Sequence, residues 1–160
     1  MKHIITSLVE NKPGVLARIV GLISGRGYNI ETLNVGPTQD PTTSKMTMVV
    51  AGDDRVLEQV IHQVGKLVDV VAVVDVTRRR HLNRELILVE VATKRNSRAE
   101  VLELATLFDA RVVAVAEKSI TVQMVGDHSC VEDFLRLLRP YEITDISRSG
   151  LIAVARGEQA

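Results

Sequence analysis

Asn11, Pro13, Gly14 and, one helix later, Asn29 are the residues whose types and spacing come nearest to a binding site. In Asn11-Lys12-Pro13-Gly14, proline suits the first position of a helix, where its missing N–H would have had no partner anyway. Gly14 carries no Cβ, so another group can approach the backbone closely. The free N–H groups of residues 14–16 then point out of the first turn and carry about half a positive charge, which favours a carboxylate or a phosphate. Asn11, and Asn29 where it comes near, offer hydrogen bonds to a carboxylate or to an adjacent ammonium. Val15, Leu16 and Ile30 suit an aliphatic side chain. Carboxylate, ammonium and aliphatic group together describe an apolar amino acid. From the residues alone a plainer reading stays open, in which the turn merely starts a helix and both asparagines satisfy backbone groups.

No other constellation offers chemistry. The glycines at 21, 25 and 27 do not spell G-x-G-x-x-G and follow a helix instead of a strand, and no P-loop is present. His3, His62, His81 and His128 lack metal-ligand spacing, and His128 beside Cys130 is too little for a site. Cys130 falls in a helix's first turn, but no paired base is evident. Met46 and Met48, at strand spacing, read as core. No catalytic and no metal-binding residue is assigned.

The elements that position the turn follow from periodicity. Apolar residues at 15, 16, 19, 20, 22 and 23 form one helical stripe, which Gly25 and Gly27 end, Gly27 as the left-handed cap. Strands are read at residues 3–9, 28–36, 45–51 and 70–76, with an exposed hairpin loop at 37–44 and a second helix behind Gly52-Asp53-Asp54. The valine density of 70–76 suggests a central strand. Residues 79–84 read as a linker, its run of arginines either a solvated charge cluster or a docking patch for an acidic surface. The order then repeats: strand 86–92, a helix behind Ser97 with Val101, Leu102, Ala105 and Phe108 inward, strands 111–116 and 120–125, a helix capped by Asp127–Ser129, and a last strand broken near Gly150. The expected fold class is α+β: two ferredoxin-like βαββαβ domains at 1–78 and 85–160, each a four-stranded antiparallel sheet with two helices on one face. One uncovered face and open edges make pairing with another copy expected.

Composition bounds the partners. Twenty basic and twenty acidic side chains cancel, so no global field recruits nucleic acid or an anionic membrane. No apolar run reaches the ~18 residues a bilayer span needs. With one cysteine there is no internal disulfide, and a cytoplasmic protein is expected.

ENKPGVLARIVGLISGRGYNIETL, DPTTSKMTMVV and VLEQVIHQVGKLVDVVAV resemble the small regulatory subunit of acetolactate synthase (acetohydroxyacid synthase). RELILVEV and ITDISRSGLIAVARG continue the resemblance more loosely to the end. It implies that the first domain is an ACT domain, that two of them pair edge to edge as a homodimer, and that the effector, valine or another branched-chain amino acid, sits at that interface. Asn11, Gly14 and Asn29 fall on the family's effector positions, with Val15, Leu16 and Ile30 beside them. The partner it implies is the catalytic large subunit, which would hold thiamine diphosphate, magnesium and FAD; this chain would carry no cofactor. Lys45 departs from the pattern, where arginine is expected. Two rivals stay open: a free-standing amino-acid sensor acting on another enzyme or on transcription, and a small enzyme on the same fold. Co-purification with a thiamine-diphosphate enzyme separates the first, and turnover of pyruvate by the isolated chain the second.

Overall fold

The structure, a computed structural model, describes residues 1–94 and 97–156. The elements run β1 (Lys2–Glu10), α1 (Val15–Ser24), β2 (Asn29–Pro37), β3 (Thr43–Ala51), α2 (Asp54–Gly65), β4 (Val70–Asp75), β5 (His81–Ala92), α3 (Ser97–Leu107), β6 (Arg111–Val115), β7 (Ser119–Gly126), α4 (His128–Leu138), β8 (Ile143–Arg148) and β9 (Ile152–Ala155). Two antiparallel sheets result, one of four strands ordered β2-β3-β1-β4 and one of five, β6-β7-β5-β8 with β9 also on β5, a strand more than the expected four because β5 is long enough to pair β8 and β9 in succession. Both are ferredoxin-like, as the repeated βαββαβ pattern predicts.

Strand alternation explains the cores. Ile5 and Val9 of β1 lie on the same face as Met46, Met48 and Val50 of β3, and α1 and α2 close over them with Val15, Ile19, Ile23, Leu57, Val60 and Val64. The two methionines are core. The second sheet repeats the arrangement with Ile87, Val89 and Val91 under Val101, Ala105, Val131, Phe134 and Leu138. Leu102, expected inward, is 39% exposed; Leu104 packs against that core in its place. Gly27 has the left-handed φ of 78° expected of it.

The division of the chain departs from the expected 1–78, 79–84 and 85–160. One compact unit holds Met1–Leu82 and the segment from Leu151 onward, and the other holds Asn83–Gly150. Residues 81–84 are not a linker, because β5 already begins at His81, and exposure alternates from there to buried Glu85. Residues 151–156 also belong to the first unit. Leu151 and Ala153, 3% and 2% exposed, cover Val49 and Val76 on the face of the first sheet that no helix protects. Burial of that hydrocarbon surface draws the segment there. Positions 157–160 of the expected second domain lie outside the described residues.

β4 is likewise not central: it ends its sheet. Three of its valines answer to cover on both faces, Val70 and Val73 on the helix side and Val74 against the cluster that holds Leu151, while Val71 stays exposed. Among the described residues no helix is long and apolar enough to cross a membrane.

Candidate functional site

Local backbone geometry makes the start of α1 unlike a typical helix start. Gly14 caps it at φ 85° and ψ −12°, with no side-chain hydrogen bond to the first turn and no acidic residue in that turn. An L side chain at such a φ costs roughly 1–2 kcal/mol, which is why glycine stands there. Arg18 N–H donates to Gly14 O at 3.0 Å, and Val15 N–H reaches Lys12 O only at 3.4 Å. Among the described residues nothing accepts from Leu16 or Ala17 N–H. The positive end of the helix is therefore open.

Asn11 fixes the approach to this corner. Its backbone N–H donates to Thr42 O at 2.7 Å and its Nδ2 to Pro41 O at 3.0 Å, tying the turn to the hairpin between β2 and β3. Its Oδ1 has no donor among the described residues. Beside it lies a shallow, open depression of about 60 Å³, with Val9, Val15, Ile19 and Met46 as apolar wall, Ser44 as a polar one, and Asn11, Leu16 and Val35 around them. Glu10 and Lys12 also line it; their side chains pair at 2.7 Å, and the hydrogen bond that the Lys12 ammonium donates to Glu10 holds its pKa above the usual value. Sites that enclose a small ligand usually measure about 300–1,000 Å³, so this is part of a pocket.

Of the six predicted residues, Asn11, Val15 and Leu16 line the depression and Gly14 opens the helix above it. Asn29 and Ile30 do not approach it within one chain, so the closeness the bare residues suggested is not formed there. They pair with Ala51 and Val50, whereas Val35, the β2 residue in the depression, pairs with Met46. Six residues of strand put Asn29 about 20 Å away. The reason is directional: α1 carries the chain back along the sheet, so β2 starts at the end remote from the turn. Ser44, Met46 and Val35 were missed, because the antiparallel β1–β3 pairing that places the start of β3 beside the end of β1 is non-local and spans α1 and β2.

Elsewhere, Cys130 is a half-buried free thiol whose N–H bonds the Asp127 carboxylate at 2.9 Å. Among the described residues no three of His, Cys, Asp or Glu converge to hold a metal ion.

A βαββαβ unit with an open helix N-terminus beside an edge strand, followed by a second such unit, defines an ACT-domain protein: the family model "AHAS small subunit-like ACT domain" matches residues 5–72. The model "Small subunit of acetolactate synthase" matches residues 84–157. The chain belongs to the acetolactate synthase small-subunit family. It is 45% identical over 159 residues, 99% of each chain, to the probable acetolactate synthase small subunit of Archaeoglobus fulgidus. It is 44% identical to the acetolactate synthase small subunit of Haemophilus influenzae, covering 99% of this chain and 98% of that one. The crystal structure of the acetolactate synthase small subunit from Thermotoga maritima superposes with a TM-score of 0.88 at 31% identity, over 99% of both chains.

Proposed function

We propose that this chain is the non-catalytic regulatory subunit of a cytoplasmic acetolactate synthase, raising the activity of the catalytic subunit and conferring feedback inhibition by valine or another branched-chain amino acid. Thiamine diphosphate, magnesium and FAD would reside in the catalytic subunit. The observation that carries the reading is the uncapped start of α1 above an apolar-walled depression. The effector's carboxylate meets the open N–H groups of the first turn of α1 above Gly14, Asn11 bonds a polar end, and the aliphatic side chain lies against Val15 and Leu16. About 60 Å³ is too little to enclose the ligand, and β2 ends its sheet. Antiparallel pairing of two β2 edges brings a partner's β2 start beside this chain's Val35 end, so Asn29 and Ile30 enter the pocket from the second protomer.

Because two chains then hold one ligand, binding favours one dimer geometry over another. Inhibition follows from unequal effector affinity in the active and inhibited holoenzyme, and a coupling of about 1–3 kcal/mol is ordinary. Gly14→Asp tests this, since it puts a negative charge where the carboxylate is placed. The expected outcome is retained activation of the catalytic subunit with loss of valine inhibition and of the calorimetric heat of valine binding. Unchanged inhibition and heat would remove the pocket assignment.

A further inference from the structure

The returning strand builds a second surface on the first unit. β8 and β9 follow β5 in descending register: Arg148 pairs with Ile87, Ser149 N–H donates to Leu86 O at 2.9 Å, and Arg156 N–H donates to Arg80 O at 2.8 Å. This antiparallel bond sets Arg156 opposite Arg80, and two residues along each strand Val154 faces Leu82. Alternation then separates the two faces of the ribbon. Leu151 and Ala153 point inward onto the sheet, while Leu82, Ile152 and Val154 point outward, 50%, 49% and 57% exposed. The outward face is thus an apolar stripe bounded at one end by the Arg80–Arg156 pair, with exposed Arg79 adjacent. Arg78 is engaged by Asp54 at 2.6 Å. Among the described residues no carboxylate pairs with Arg79, Arg80 or Arg156.

We propose that this ribbon is the docking surface for the large subunit of acetolactate synthase, engaging an apolar patch bordered by carboxylates on that partner. The proposal rests on the subunit reading above and adds the surface through which it operates. An apolar centre with an arginine border is the composition of a protein–protein interface, in which arginine is enriched and the rim is polar. A second copy of the ribbon is a poor occupant, because facing arginines would repel. Nucleic acid has no use for the central Leu82, Ile152 and Val154, which offer neither donors nor a stacking plane. Two hydrogen-bonded strands anchored by Leu151 and Ala153 are also held in place before a partner arrives, which lowers the ordering cost of association.

The test titrates this chain into the large subunit and reads the concentration giving half-maximal activation of carboligation, at low and at high salt. For the unaltered chain that concentration should rise with salt, since rim charges speed encounter at low ionic strength. The Arg80→Glu/Arg156→Glu double variant should raise it at least tenfold and flatten its salt dependence. The Arg80→Lys/Arg156→Lys variant should stay near the parent. Leu82→Ser, exposed enough to leave folding intact by circular dichroism, should raise it severalfold with the salt dependence kept. Valine binding to the free chain, followed by calorimetry, should be unchanged in all three. A half-activation concentration within twofold of the parent for the charge-reversed variant overturns the proposal, and so does a ribbon-dependent affinity for polynucleotide without any for the large subunit. Failure of the unaltered chain to associate with the large subunit would instead overturn the subunit reading itself.

Discussion

The two units fold alike but finish their first helices differently. In the first, the turn before α1 leans on its neighbouring hairpin through Asn11, and the helix end itself stays bare. In the second, the turn before α3 also meets its hairpin, Thr93 N–H donating to Lys118 O at 2.8 Å. There, however, the side chain of Arg98 closes the corner, donating to Ala116 O at 2.6 Å and Glu117 O at 3.1 Å. Glu100 sits in the first turn of α3, and Ser97 Oγ accepts from Lys94 N–H. α2 and α4 are capped conventionally, Asp53 accepting from Val56 N–H and Asp127 from Cys130 N–H. A cap is worth about 1 kcal/mol. Among the three helix starts whose caps are described, α1 alone forgoes that stabilisation, and it is the one the family reading assigns to a ligand. The same fold lays an arginine across the corner in one copy and leaves it bare in the other.

Four perturbations test the contrast. The largest concerns the second unit's own polar cluster, where Glu85, 2% exposed, receives both ends of the Arg148 guanidinium at 2.8 and 2.7 Å. Arg148→Met strands a buried carboxylate and should cost about 3–5 kcal/mol in urea unfolding. Glu85→Gln added to it should recover part of that, and neither should alter valine titration. Next comes Gly14→Ala in the first unit. A Cβ there meets nothing within 4 Å, so the loss should be the backbone strain of φ 85° alone, about 1–2 kcal/mol by thermal melting. Arg98→Leu opens the second unit's corner by removing the donor to two carbonyls. It should cost about 1 kcal/mol and create no second valine site by calorimetric stoichiometry.

The smallest effect is a pH dependence. The Cys130 N–H, and after it the Ser129 hydroxyl, hold the Asp127 carboxyl below the usual carboxylate range. A group depressed in the folded state stabilises fully above its unfolded pKa of about 4 and loses that contribution as pH falls through the folded value. Asp127→Ala should therefore cost about 1 kcal/mol at neutral pH, and its gap from the parent should shrink below about pH 4, as read by denaturation at a series of pH values.

Much of this was legible in the chain. Helix stripes, the two aspartate caps and the glycine at 27 are local signals, and local signals set element type. The turn before α1 was legible too, although Pro13, read as the first helical position, lies one residue before the Gly14 cap. What escaped depends on the third dimension. Asn29 is near Asn11 in sequence terms only, since the helix between them reverses direction and β2 begins at the far end. Valine density in β4 was read as two neighbouring strands, when two covered faces produce the same composition. The arginines at 78–80 and 84 hid the start of β5, whose alternation shows only when Glu85 is known to be buried. Nothing local in residues 151–155 says which sheet they will cover.

That last point bears on how the molecule is made. The second unit is an insertion within the first, so a ribosome releases all of residues 83–150 before the piece that covers Val49 and Val76 exists. Until Ala153 emerges, the earliest-synthesised sheet waits with hydrocarbon exposed. A nonsense codon in the final stretch would thus injure the half of the protein that was translated first.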